Sequence, residues 1–184
     1  CTDIILHTME RYFIKENNMD ITDGFAESLM RTVMKHTRIL MKEPNKYESR
    51  AEVMWAGSLS HNDITGSRSF GDWACHQLEH ELSGMYKVAH GAGLAAVWGS
   101  WARYVYQEQP SRFAQYARNV MGIREENDVE CALAGIEATE QFFKEIGMPT
   151  SIHEMGIALG EEDIQTLAWK CSFEDKRTIG CFKV

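Results

Sequence analysis

Three histidines, His76, His80 and His90, fall within fifteen residues of a chain that holds only seven. Neutral imidazole and carboxylate are the ligands that borderline divalent metals prefer, so this run points first to metal chemistry. Asp3 and His7 form a second pairing, four residues apart. At that step on a helix both side chains leave one face and can reach one ion, although ordinary surface pairs share the spacing. His76 and His80 repeat the step: they can share a metal, or one can bind it while the other works beside it. His90 precedes Gly91-Ala92-Gly93, where the backbone can be approached closely, and a return of the chain after Tyr86 would bring it toward His76. A core histidine satisfied by a carbonyl would account for any one of these. Three together, with a remote Asp–His pair, favour a metal site.

The neighbours narrow the chemistry. His80-Glu81-Leu82-Ser83-Gly84 begins like the zincin motif HExxH, but Gly84 stands where the second histidine must be. The chain has no adjacent His-Asp dipeptide, which weakens a helical metal phosphohydrolase. Glu79 and Glu81 can orient imidazoles from behind or simply sit in solvent. Cys75 points about 100° away from His76 around a helix and is a poor ligand. His36, His61 and His153 lie outside the clusters and are expected at the surface or in caps. The five Trp and ten Met are expected to pack the core rather than line a cofactor.

These residues must be positioned by helices. The three prolines, at 44, 110 and 149, each fall where a helical pattern breaks. Apolar residues at three- and four-residue steps predict helices from Thr2 to about Lys15, from Asp20 toward Pro44, and from Tyr47 to His61 with Val53, Met54 and Leu59 on one side. Further helices are predicted over Trp73 to Tyr86, from His90 through Tyr106, over Ser111 to Val120 and over Asp128 to Ile146. A last one starts at Glu161-Glu162-Asp163, its acids at the favourable end. No stretch alternates as a strand does, and Gly91-Ala92-Gly93 follows nothing strand-like, so no dinucleotide fingerprint is present. The expectation is one all-α domain, residues 1–184, of roughly eight helices.

Composition agrees with a soluble domain: 44% of residues are hydrophobic and 25% charged. A formal charge of −8 argues against nucleic acid and anionic membranes as partners. No apolar run approaches the ~20 residues that span a bilayer. Five cysteines without a CxxC spacing suggest reduced thiols in a cytoplasmic protein. Lacking an initiator Met and a closing element, the chain reads as a piece of something longer.

Three separated motifs resemble the iron-containing (group III) alcohol dehydrogenases, most closely the NAD(P)H-dependent butanol dehydrogenase branch. They are Thr2-Asp3-Ile4-Ile5-Leu6-His7-Thr8-Met9-Glu10, Gly71-Asp72-Trp73-Ala74-Cys75-His76-Gln77-Leu78-Glu79-His80-Glu81-Leu82-Ser83, and Ala89-His90-Gly91-Ala92-Gly93-Leu94. The likeness extends over essentially the whole chain, including Met121-Gly122-Ile123 and Thr178-Ile179-Gly180. It implies the C-terminal helical domain of such an enzyme, with the N-terminal dinucleotide-binding domain not represented. By the same resemblance Asp3, His7, His76 and His90 would hold Fe²⁺, or Zn²⁺ or another divalent metal, and His80 would lie beside the nicotinamide of NAD or NADP and assist proton transfer. Implied partners are a primary alcohol or aldehyde, the nucleotide-binding half and a further copy in a homo-oligomer. The isolated chain is expected to be catalytically silent. Two rival readings stand beside it: a stand-alone helical metal hydrolase, and a structural bundle with incidental histidines.

Overall fold

A computed structural model describes residues 1–15, 19–66 and 70–184. Among the described residues eight α-helices follow in order: α1 (Thr2–Tyr12), α2 (Asp20–Lys42), α3 (Tyr47–His61), α4 (Ala74–Tyr86), α5 (His90–Val105), α6 (Pro110–Asn119), α7 (Asp128–Glu145) and α8 (Glu161–Cys171). Short 3-10 turns at Tyr106–Glu108 and His153–Met155 complete the regular structure, and no strand occurs among the described residues. The expected all-α domain is found, with most boundaries within a residue or two.

The largest boundary difference lies in α1. It ends at Tyr12 because Phe13 leaves the helical region (φ −81°, ψ 86°). The turn sends Phe13 and Ile14 inward, where they are 0% and 1% exposed. Other ends follow local chemistry. Pro110 opens α6, where its missing N–H costs nothing. The Asn127 side chain caps α7 by accepting from the N–H groups of Val129 and Glu130.

α1 lies innermost, packed against α2, α3 and α5, while α4 pairs with α5 and α6 with α7. Its burial extends to Thr2, Thr8, Glu10 and Arg11, polar residues that must therefore find partners inside. Phe13 stacks on Phe113 at 4.4 Å and meets Tyr116 and Trp101 at 5.1 and 6.1 Å, joining α1 to α5 and α6. Each large ring so buried contributes about 1.5–3 kcal/mol. Beside this aromatic centre Arg112 is clamped by both carboxylate oxygens of Asp23 and donates to Tyr12 O at 2.7 Å.

Trp98 and Trp101 are core residues as expected, but Trp55 and Trp169 are 62% and 48% exposed. α3 also differs from its expected orientation, with Met54 outward and Ser49, Ala56 and Ser60 buried. Small side chains face inward because α3 packs close against α1: a Cβ on Gly57 would already lie 3.2 Å from Ile4 Cδ1.

Candidate metal centre

Three histidines on three helices converge on one carboxylate oxygen. Asp3 and His7 lie on α1, one turn apart, His76 in the first turn of α4, and His90 at the first position of α5. Asp3 Oδ1 is 3.7 Å from His7 Nε2, 3.6 Å from His76 Nε2 and 3.2 Å from His90 Nε2. Donors bound at about 2.0–2.1 Å to a tetrahedral ion are about 3.4 Å from one another, so these separations suit a shared cation. The donor atoms of Asp3, His7 and His76 all lie within 4.8 Å of one another. His90 joins the group through Asp3.

The hydrogen-bonding balance supports the same fit. Asp3 Oδ1, His7 Nδ1, Glu10 Oε2 and His76 Nε2 are buried without a hydrogen-bond partner. Buried polar atoms are ordinarily paired, and leaving one unpaired costs about 1–3 kcal/mol. Two of these atoms are among those that a cation would contact.

Electrostatics prepare the corner for positive charge. The His76 imidazole, working against burial, holds Asp3 down to about 2. Burial, reinforced by neighbouring His76, holds His7 down to about 4, so at neutral pH the imidazole is uncharged and free to donate a lone pair. Burial opposes charge on His76, yet Asp3 and Glu10 together raise it to about 9. Positive charge between those two carboxylates is thus favoured, and a divalent cation can supply it.

Trp73 walls the site, standing edge-on to His7 and His76 with ring centroids 5.2 and 5.1 Å away. The Arg11 guanidinium covers the same indole at 4.8 Å. α4 can start immediately after this indole because Trp73 adopts φ +64° and Asp72 Oδ1 accepts the N–H of Ala74. The open side is framed by His90, Asp3 and the exposed His80. The His80 ring stacks on His90 at 5.5 Å and lies 6.2 Å from His76, on the rim rather than against Asp3.

Two residues change standing. His61, expected to be incidental, ends α3 beside the cluster: its Nε2 is 3.5 Å from Asp3 Oδ2 and its ring lies 3.8 Å from that of His7. Glu10 is 2% exposed and places Oε1 3.2 Å from His76 Nδ1. Neither has a ligand-like spacing in the sequence; tertiary packing alone brings them in. Glu79, left open by its sequence position, is fully buried and bonded to His90 Nδ1. His36 meets Ser49 Oγ at 3.0 Å, and His153 sits exposed in a 3-10 turn, both away from the centre.

Comparison with known proteins places this geometry in context. Residues 1–183 match the Fe-containing alcohol dehydrogenase family, C-terminal. The chain is 35% identical over 183 residues to the NADH-dependent butanol dehydrogenase A of Clostridium acetobutylicum, covering 98% of this chain and 46% of the relative. It is 36% identical over 155 residues to the NADPH-dependent aldehyde reductase YqhD of Escherichia coli, covering 84% and 40%. The crystal structure of the NADH-dependent butanol dehydrogenase A of Thermotoga maritima superposes with a TM-score of 0.91 at 36% identity, over 100% of this chain and 47% of that one. The chain therefore spans about half the length of the relatives it matches.

Proposed function

The chain belongs to the Fe-containing alcohol dehydrogenase family, and on that premise we propose that residues 1–184 are the metal-holding helical domain of an NAD(P)-dependent enzyme interconverting primary alcohols and aldehydes. The observation that carries this reading is the convergence of three Nε2 atoms on Asp3 Oδ1. Asp3, His7, His76 and His90 would hold a divalent cation, Fe²⁺ by family expectation. Zn²⁺ suits the same donors and binds more tightly on intrinsic affinity. Bound there, the cation supplies Lewis acidity toward the substrate oxygen.

The chain's own residues would do the rest. One carboxylate and three neutral imidazoles leave the dication's site one positive charge in excess, which favours an anionic oxygen over a neutral one. Trp73 and the buried faces of His7 and His76 exclude water on the inner side, where electrostatic interactions are strongest. His80, on the exposed rim beside His90, is placed to carry the hydroxyl proton to or from solvent. The similarity to a butanol dehydrogenase and an aldehyde reductase supports small primary alcohols and aldehydes as substrates. The nicotinamide nucleotide is assigned to sequence outside these residues, where the relatives carry roughly half their length.

The test is reduction of butanal by NADH or NADPH with the enzyme joined to its nucleotide-binding half. Turnover is expected to require bound metal, and Asp3→Ala to abolish both metal and turnover. His80→Ala is expected to keep metal within about twofold and lose about 10²-fold or more in rate. The 184 residues alone are expected to bind metal without oxidising butanol. Full metal occupancy in Asp3→Ala, or turnover indifferent to metal removal, would overturn the reading.

A further inference from the structure

An imidazole offers a metal only one nitrogen, and the bond made by the other nitrogen decides which. His90 has that bond settled. Its Nδ1 meets Oε2 of Glu79, while Oε1 of the same carboxylate accepts the Ser83 hydroxyl. Glu79 is 0% exposed, so its carboxylate relies on partners within the protein. The next helix makes room for it: a Cβ on Gly93 would lie 2.7 Å from both Cγ and Oε1 of Glu79. His76 is held comparably. Glu10 Oε1 is 3.0 Å from the His76 backbone N–H and 3.2 Å from its Nδ1.

His7 contrasts with both, since its Nδ1 is buried without a partner. The two histidines from α4 and α5 are thus each backed by a buried carboxylate, and the one from α1 is not. We propose that Glu79 and Glu10 are positioning residues that fix His90 and His76 with the proton on Nδ1, so that both Nε2 lone pairs face Asp3 Oδ1, and that Ser83 and Gly93 hold Glu79 in place. This rests on the reading that Asp3, His7, His76 and His90 hold a cation. A carboxylate behind a ligand imidazole also strengthens it as a donor, so the effect reaches the metal's electronic environment and not only its occupancy.

Glu79, His80 and His90 could instead form a second cation site, since their donor atoms also lie within 4.8 Å of one another. That would require His90 Nδ1 to give up its proton. Both oxygens of Glu79 are already engaged by Ser83 and His90, which favours the positioning role.

The experiment is a Co²⁺ titration of the protein, reading affinity, stoichiometry and the visible absorption at saturation. Glu79→Ala is expected to lower Co²⁺ affinity about 10–100-fold and shift the absorption bands. Glu79→Gln keeps an acceptor oxygen and is expected to recover part of the affinity. Gly93→Ala changes no ligand and no carboxylate, yet by displacing Glu79 it should fall between wild type and Glu79→Ala. It carries the test, with Ser83→Ala, should Glu79→Ala fail to fold. Glu10→Gln is expected to weaken binding with its own band shift through His76. Affinities within twofold of wild type and unchanged bands in Glu79→Ala, or in Gly93→Ala and Ser83→Ala where that variant does not fold, would overturn the proposal, as would two Co²⁺ ions per chain. Undiminished Co²⁺ binding in Asp3→Ala would instead overturn the underlying site, and the two failures are separable.

Discussion

Two buried polar clusters are anchored on α1, and they differ in how completely they are satisfied. Around Tyr12, the Arg112 guanidinium lies 3.9 Å over the phenol ring and is clamped by Asp23. Gln115 donates to Asp23 at 3.2 Å and to Glu27 at 3.1 Å, and Glu27 also receives Tyr12 OH and Asn119 at 2.8 and 2.9 Å. None of these side chains has a buried polar atom without a partner. Around Asp3 and His7 the balance is the reverse: four of the eight unpartnered buried side-chain atoms among the described residues belong to Asp3, His7, Glu10 and His76. A closed network is scaffold, because every buried polar atom in it already has a partner. An open one is a candidate site, because it leaves buried polar atoms that a partner from outside the chain would satisfy.

The sharpest way to break this distinction is Arg112→Ala. It leaves Asp23 buried without its cation and is expected to cost about 3–5 kcal/mol in urea unfolding. Metal bound per folded molecule should remain at the wild-type level. A loss of metal without a loss of stability would erase the division between the clusters. His76→Ala should do the opposite. In wild type, saturation at a hundred times the dissociation constant should add about 2.7 kcal/mol of stability, reversed by a chelator. In His76→Ala that increment should disappear, while the metal-free protein loses only about 1–3 kcal/mol, because buried Glu10 keeps the backbone N–H of residue 76 but loses the imidazole. Trp55→Ser, at 62% exposure and belonging to neither cluster, should change stability by less than about 0.5 kcal/mol. A larger loss would mean that the outer face of α3 is a third region of consequence.

Much of this organisation is legible in the sequence because its signals are local. The prolines at 44 and 110 and the three- and four-residue apolar steps mark helices whose limits are decided within one or two turns. Asp3, His7 and His76 are conspicuous for the same reason: they recur at helical spacing or crowd into one segment. His61 and Glu10 are not, because each is an ordinary residue in its own helix. Only the packing of α1 against α3, and the placing of the α4 start over α1, turns them toward the cluster. Arg112 and Asp23 are hidden likewise, 89 residues apart in sequence. The outward turn of Met54 departs from the apolar pattern for a related reason. Apolar periodicity shows that a helix has a greasy side, but close helix–helix approach can be won by small residues on the other side.

The length of chain between α1 and α4 has a consequence for how the domain holds itself together. Asp3 and His7 occupy the first two turns of α1, whereas His76 and His90 belong to α4 and α5. An ion gripped by all four would tie the first two turns of α1 to a region beyond α2 and α3. It would act as a reversible staple across a long loop, with the entropic advantage of any cross-link that closes one. The residence time of the ion would then set how often α1 can undock by itself, and so how often the innermost helix meets solvent.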